Sequence, residues 1–111
     1  MGCGSDWAFT AASALESLAM IKEVDTTIQE YPAKQIIDCD NKNYGCSGGW
    51  MRNAFEYTRL DGMVVASNYS VPYNGKQGEC MFRHANSHFK NDGFQEYFAV
   101  SNEKMKEFVN Q

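Results

Sequence analysis

Gly2-Cys3-Gly4-Ser5-Asp6-Trp7-Ala8-Phe9 is a tight, glycine-bearing loop that feeds straight into a helical pattern. Ser5 is a good N-cap, and Asp6 then falls in the first helical turn. A carboxylate there meets the positive end of the helix dipole and several unpaired backbone N–H groups. Folds often hold reactive groups at such a spot, because the local field favours negative charge. Judged on local chemistry alone, Asp6 is a well-placed helix-start acid.

The helix that follows is the strongest in the chain. Trp7, Ala11, Ala14, Leu15, Leu18 and Ile21 recur at helical spacing, and predict a helix over about 6–24. Phe9, Ala12, Ala19 and Met20 add apolar area on other sides, so this helix is expected to be buried on more than one side. A short second helix is expected over 31–37, with Pro32 in its first turn. Residues 38–49 form a polar loop rich in Asp, Asn, Gly and Cys. A third helix is expected over 50–60, with Trp50, Ala54, Tyr57 and Leu60 on one face, stopped at Asp61-Gly62. Residues 63–65 suggest a brief strand, 66–93 long loops, 94–100 a weak strand and 101–111 a last helix. The fold class is mainly α with short β segments, an α+β domain with two to three shorter helices around the central one.

The chain has 111 residues, is 43% hydrophobic and carries a net charge of −4 with no basic run. That composition suits one folded domain over 1–111 and argues against nucleic acid or a membrane surface as partner. No apolar stretch is long enough to span a bilayer. Cys3, Cys39, Cys46 and Cys80 are even in number and admit three disulfide connectivities. Zinc is the competing reading, but no pair has C-x-x-C spacing and the histidines lie elsewhere. Neither a metal nor another cofactor is expected. Disulfides imply an oxidising compartment, and Asn68-Tyr69-Ser70 is a glycosylation sequon that fits that route.

Cys3-Gly4-Ser5-x-Trp7-Ala8-Phe9 resembles the active-site signature of the papain-like cysteine peptidases, with Asp6 where the nucleophilic cysteine stands. Gln35-Ile36-Ile37-Asp38-Cys39-Asp40 is similar to the family's segment after its second helix. Tyr44-Gly45-Cys46-Ser47-Gly48-Gly49-Trp50 is similar to its glycine-rich substrate-binding loop. Asn68-Tyr69, Pro72-Tyr73 and Cys80 match the loop closed by its second disulfide, and Asn102-Glu103 to Asn110-Gln111 the end of its first domain.

The resemblance covers the chain in order and implies the helical left domain of that fold. It implies the pairings Cys3–Cys46 and Cys39–Cys80, each worth about 4 kcal/mol on the chain-entropy model. It also implies a peptide-binding wall drawn from Gly4, Ser5, Tyr44, Ser47, Gly48, Gly49, Trp50 and Met51. The glycines would offer backbone groups to an extended peptide, and Trp50, Met51 and Tyr44 would line side-chain pockets.

The same resemblance marks what is expected to be missing. The right, barrel-like domain supplies the family's histidine and asparagine, roughly 130–150 residues beyond the nucleophile, and this chain ends at residue 111. His84-Ala85 resembles the family's His-Ala pair only superficially; His84 and His88 are expected to be surface-loop residues. The oxyanion glutamine lies upstream of the first motif glycine and is not in the chain. A carboxylate is a weak nucleophile toward an amide, and aspartic chemistry needs a second carboxylate sharing a proton.

The expected function is therefore a catalytically inactive half of a cysteine endopeptidase, a pseudoenzyme that keeps part of the peptide cleft. The alternatives are a fragment or subunit of a two-chain thiol peptidase, needing a right-domain partner and cysteine at position 6, and a non-enzymatic binder of propeptides or cystatin-like inhibitors. Extended peptides are expected to bind weakly. The uncovered face of the central helix, Trp7 included, is expected to be exposed and to favour a homodimer. The parent protein is expected to be lysosomal, vacuolar or secreted. Because Met1 abuts the motif, no targeting signal is expected in this chain.

Overall fold

The structure is a computed structural model that describes residues 3–92. Three helices carry it: α1 over Asp6–Ile21, α2 over Ala33–Cys39 and α3 over Met51–Asp61. Single 3-10 turns fall at Gly45–Ser47, Ala66–Asn68 and His84–Asn86. The expected strand at 63–65 reduces to one antiparallel bridge, Met63 to Phe89. The strand and helix expected over 94–111 lie outside the described residues.

α1 is central because small residues let its neighbours approach closely. Trp7, Ala8, Ala11, Ala12, Leu15 and Ala19 are buried, and α1 packs against both α2 and α3. Ala14 and Ile21, expected on the buried face, are exposed instead. The helix also ends three residues earlier than its apolar pattern suggests. Glu23 takes a left-handed φ of 59°, and the Val24 amide folds back to donate to the Ala19 carbonyl, 3.0 Å. A non-glycine residue makes this reversal, so composition gave no warning of it.

α2 is short and nearly all buried. Pro32 is extended (φ −78°, ψ 113°) and precedes the helix instead of sitting in its first turn. Gln35 is fully buried and fully satisfied. Its Nε2 donates to Tyr57 Oη and to the Gly62 carbonyl, both 2.9 Å, and its Oε1 accepts from the Val64 amide, 3.0 Å. One side chain thus joins α2, α3 and the segment after α3, as buried polar groups require. Burial pushes the Tyr57 phenol upward in pKa.

α3 buries Ala54 and Thr58, whereas Trp50 and Leu60 of the expected face are exposed. Ala54 and Thr58 lie one turn apart, and Thr58 Oγ1 reaches the Asn91 side-chain oxygen at 2.6 Å. The polar contact across that face explains the rotation. The two disulfides pair as the resemblance implies, Cys3–Cys46 and Cys39–Cys80. Beside the second, Asp38 accepts from Lys34 Nζ (3.0 Å), the Gly78 amide (2.8 Å) and the Tyr69 hydroxyl (2.7 Å). This buried, fully bonded ion pair pins the 66–81 loops to α2.

Candidate functional site: the start of α1 and the glycine-rich loop

Cys3 and Gly4 bind the 45–49 loop twice, once covalently and once through the backbone. Beside the disulfide, the Gly4 amide donates to the Cys46 carbonyl at 2.6 Å. A Cβ on Gly4 would sit 3.0 Å from that same oxygen, a tight contact that the loop backbone would have to relieve by shifting. The start of α1 and the loop are therefore held side by side.

Ser5 is buried at the N-cap, but its hydroxyl does not cap the helix. It lies 3.1 Å from the Tyr73 hydroxyl, 68 residues on. Tyr73 also meets the Phe9 ring edge to face, with centroids 5.0 Å apart. Tyr73 is thus a further member of the site, fastening the 66–75 segment over the first turn of α1. Asp6 is exposed as the first residue of α1, and its carboxylate makes no hydrogen bond or ion pair among the described residues.

Trp7 is only 6% exposed, which corrects the expectation that it lies on an open face. Its Nε1 donates to the Gly45 carbonyl at 3.0 Å. Its ring lies against Gly49, where an added Cβ would come within 2.7 Å of Trp7 Cδ2. The indole is spent on shaping the loop, and the half-exposed aromatic on α1 is Phe9 (43%).

Asn43 was not singled out from sequence, yet it sets the path of the loop. Its Oδ1 accepts from the Trp50 amide (2.7 Å) and its Nδ2 donates to the Trp50 carbonyl (3.2 Å). Asp40 orients that amide by accepting from Nδ2 at 2.6 Å. Burial raises the Asp40 pKa, against the hydrogen bonds from Asn43 and Lys42 that lower it. An asparagine in a polar loop carries no sequence mark of such a role.

Within the loop, the Tyr44 amide donates to the Gly48 carbonyl (2.9 Å) and the Gly48 amide to the Gly45 carbonyl (3.4 Å). The Gly49 amide and carbonyl make no hydrogen bond among the described residues. Gly48 has a φ of 109° with open space around its Cα. Tyr44 and Trp50 flank this backbone, 66% and 68% exposed, and Ser47 is exposed. Met51 is half-buried against the core cluster.

The histidines do not join this site. His84 is exposed and packs on Phe82, as expected of a loop residue. His88 is likewise an exposed loop residue, but its Nε2 lies 2.6 Å from Asp25 Oδ1. Tyr31 Oη donates to the other Asp25 oxygen at 2.6 Å. Asp25 follows the C-terminal end of α1, and Asp6 begins that 16-residue helix, so about 22 Å of rise lies between its two ends. Among the described residues no group of three or more His, Cys, Asp or Glu side chains could hold a metal ion, and no helix is long and apolar enough to cross a membrane.

The family model described as "Papain family cysteine protease" matches residues 1–111. Cathepsin K of Mus musculus is 35% identical over 102 residues, 92% of this chain and 30% of that protein. The crystal structure of the Amb a 11 cysteine protease, a ragweed pollen allergen, in its proform is 38% identical with a TM-score of 0.72. That match covers 83% of this chain and 27% of the other. Digestive procathepsin L 3 of Tenebrio molitor larval midgut superposes with a TM-score of 0.83 at 27% identity, over 98% of this chain and 35% of that one. The chain spans about a third of the length of these relatives.

Proposed function

The chain belongs to the papain family of cysteine proteases, and on that premise we propose that it is a peptide-binding left domain without peptidase activity of its own. Asp6 carries this reading. It is an exposed carboxylate at the first residue of α1, where the signature Cys3-Gly4-Ser5-x-Trp7 puts the family's thiol nucleophile. A thiolate is polarisable and is activated by pairing with a base. A carboxylate attacking an amide would have to form an anhydride and expel an amine, an uphill route. Neither histidine supports Asp6 as a base, since His88 is committed to Asp25 at the far end of α1.

What remains supports binding. The backbone groups of Gly49, unpaired among the described residues, suit an extended peptide added edge-on, with the exposed Tyr44 and Trp50 flanking it in sequence. One wall of a cleft holds a peptide weakly. The purified chain is expected to leave a fluorogenic peptide intact, while the Gly49 amide resonance shifts as an uncleavable extended peptide is titrated in. Hydrolysis that co-purifies with the chain and vanishes in Asp6→Ala would overturn the inactive reading. An unmoved Gly49 resonance at millimolar peptide would overturn the binding one.

A second reading rests on a different observation. An open cleft of about 530 Å³ runs along the flank of α1, between Phe9 and Glu16 on one side and Tyr31 and Tyr73 on the other. An uncovered cleft of this kind suits a second domain or chain. In that case Asp6→Cys mixed with a separately produced right domain regains thiol-dependent cleavage, and Asp6→Cys alone does not. A second copy of the chain is the competing occupant, read as a concentration-dependent mass in light scattering.

A further inference from the structure

We propose that Asn68 carries an N-linked glycan. Asn68-Tyr69-Ser70 is the one Asn-x-Ser/Thr triplet in the 111 residues, with neither proline at the middle position nor after the serine. The fold presents it outward. Tyr69 is extended, with φ −104° and ψ 117°, so the residues on either side of it share the opposite face. The middle side chain points in and is buried, whereas Asn68 and Ser70 are both exposed. The Asn68 carboxamide makes no hydrogen bond among the described residues, while its backbone amide is anchored to the Val65 carbonyl at 2.9 Å.

The inward anchor is built from the disulfide's own neighbours. Tyr69 Oη donates to Asp38 at 2.7 Å and accepts from the Met81 amide at 3.2 Å. Those residues adjoin Cys39 and Cys80, which are bonded to each other. The structure that orients the triplet is thus closed by a bond that forms in an oxidising lumen, the compartment in which glycan transfer takes place. The large cleft is lined by Ser67 and Tyr69 but not by Asn68, so a sugar chain leaves the molecule without filling it.

In the transfer, Asn68 Nδ2 attacks the anomeric carbon of a lipid-diphosphate-linked oligosaccharide supplied by the secretory pathway. The C–N bond forms, the C–O bond to the diphosphate breaks, and Nδ2 loses one proton to the transferase. A surface asparagine accepts this bulky, solubilising group without disturbing the core.

The test has two arms. In the natural protein, the tryptic peptide ending at Lys76 is expected to appear only after treatment with a glycan amidase, with aspartate at residue 68. Its recovery with unmodified asparagine overturns the proposal. Translation into microsomes behind a signal peptide needs no folding to completion. There the wild-type chain and Ser70→Thr are expected to show an amidase-sensitive gel shift, and Asn68→Gln and Ser70→Ala none. A wild-type chain without a shift beside a modified control protein, or an Asn68→Gln chain that still shifts, overturns it equally.

Discussion

The carboxylate of Asp25 and the imidazole of His88 meet at 2.6 Å across 63 residues of sequence. With the Tyr31 hydroxyl on its other oxygen, Asp25 ties the end of α1 to the segment that follows the His84–Asn86 turn. Burial raises its pKa, but the Tyr31 and His88 hydrogen bonds and the His88 charge prevail and hold it below the ordinary value. Burial of Tyr31, and then the same carboxylate, push its phenol upward.

A depressed carboxylate pKa fixes the sign of the pH dependence. Asp25 contributes stability in full above its unfolded pKa of about 3.9 and loses it as pH falls through the lower folded value. Urea unfolding of Asp25→Asn is therefore expected to vary less between pH 5 and 2 than that of the wild type. Asp25→Ala strands the Tyr31 hydroxyl as well, and is expected to cost about 1–3 kcal/mol near neutral pH. Identical acid slopes for wild type and Asp25→Asn would contradict the assignment.

Asn43 makes a two-point clamp on the Trp50 backbone, and its loss frees the loop ahead of α3. Asn43→Ala leaves the Trp50 amide and the Asp40 Oδ2 atom short of a partner, while the Trp50 carbonyl keeps the Asn53 and Ala54 amides. The expected cost is about 2–3 kcal/mol by chemical denaturation. Asn43→Asp places a second acid beside Asp40 and should be tolerated better at pH 4 than at pH 8. A variant equally stable at both would argue against that pairing.

The neighbouring glycines should fail for different reasons. Gly49→Ala drives a methyl into Asn43 and Trp7, where Cγ and Cδ2 each lie 2.7 Å from the new atom. It is expected to cost about 1–3 kcal/mol and to quench or shift Trp7 fluorescence as the ring moves. Gly48→Ala meets no atom within 4 Å but must hold a φ of 109°. Its cost is backbone strain, about 1–2 kcal/mol, with the Trp7 spectrum unchanged.

Glu23 invites the opposite kind of change. It sits just past α1 at φ 59°, where a side chain strains the backbone and glycine does not. Glu23→Gly is expected to gain about 1 kcal/mol, or roughly 4–8 °C in Tm. Glu23→Val, β-branched at the same φ, should lose stability. A reversed order in thermal melts would show that the reversal at the helix end relaxes freely.

Local chemistry was legible in this sequence, and distant pairings were not. The apolar spacing from Trp7 to Leu18 announced α1, because a helix brings together residues three and four apart. The pairing of Cys3 with Cys46 and Cys39 with Cys80 was carried by likeness to a family, since spacing admits three connectivities. Ser5 looked like a side-chain cap, but a tyrosine 68 residues away takes its hydroxyl. His88 is the exposed loop residue that the sequence suggests, but its pairing with Asp25 carried no sequence mark. Trp7 looked uncovered because nothing in its own turn reveals that the Gly45 carbonyl awaits its N–H. Each miss turns on a partner that only the folded chain brings within reach.

The two disulfide loops, 3–46 and 39–80, overlap instead of lying end to end. Cutting any one peptide bond between Cys3 and Cys80 therefore leaves both pieces covalently attached. A chain nicked once in this stretch keeps its mass, apart from the added water, on a non-reducing gel, and falls into two bands only with reductant. For a domain from a protease lineage, the interlocked loops make a single internal cut survivable.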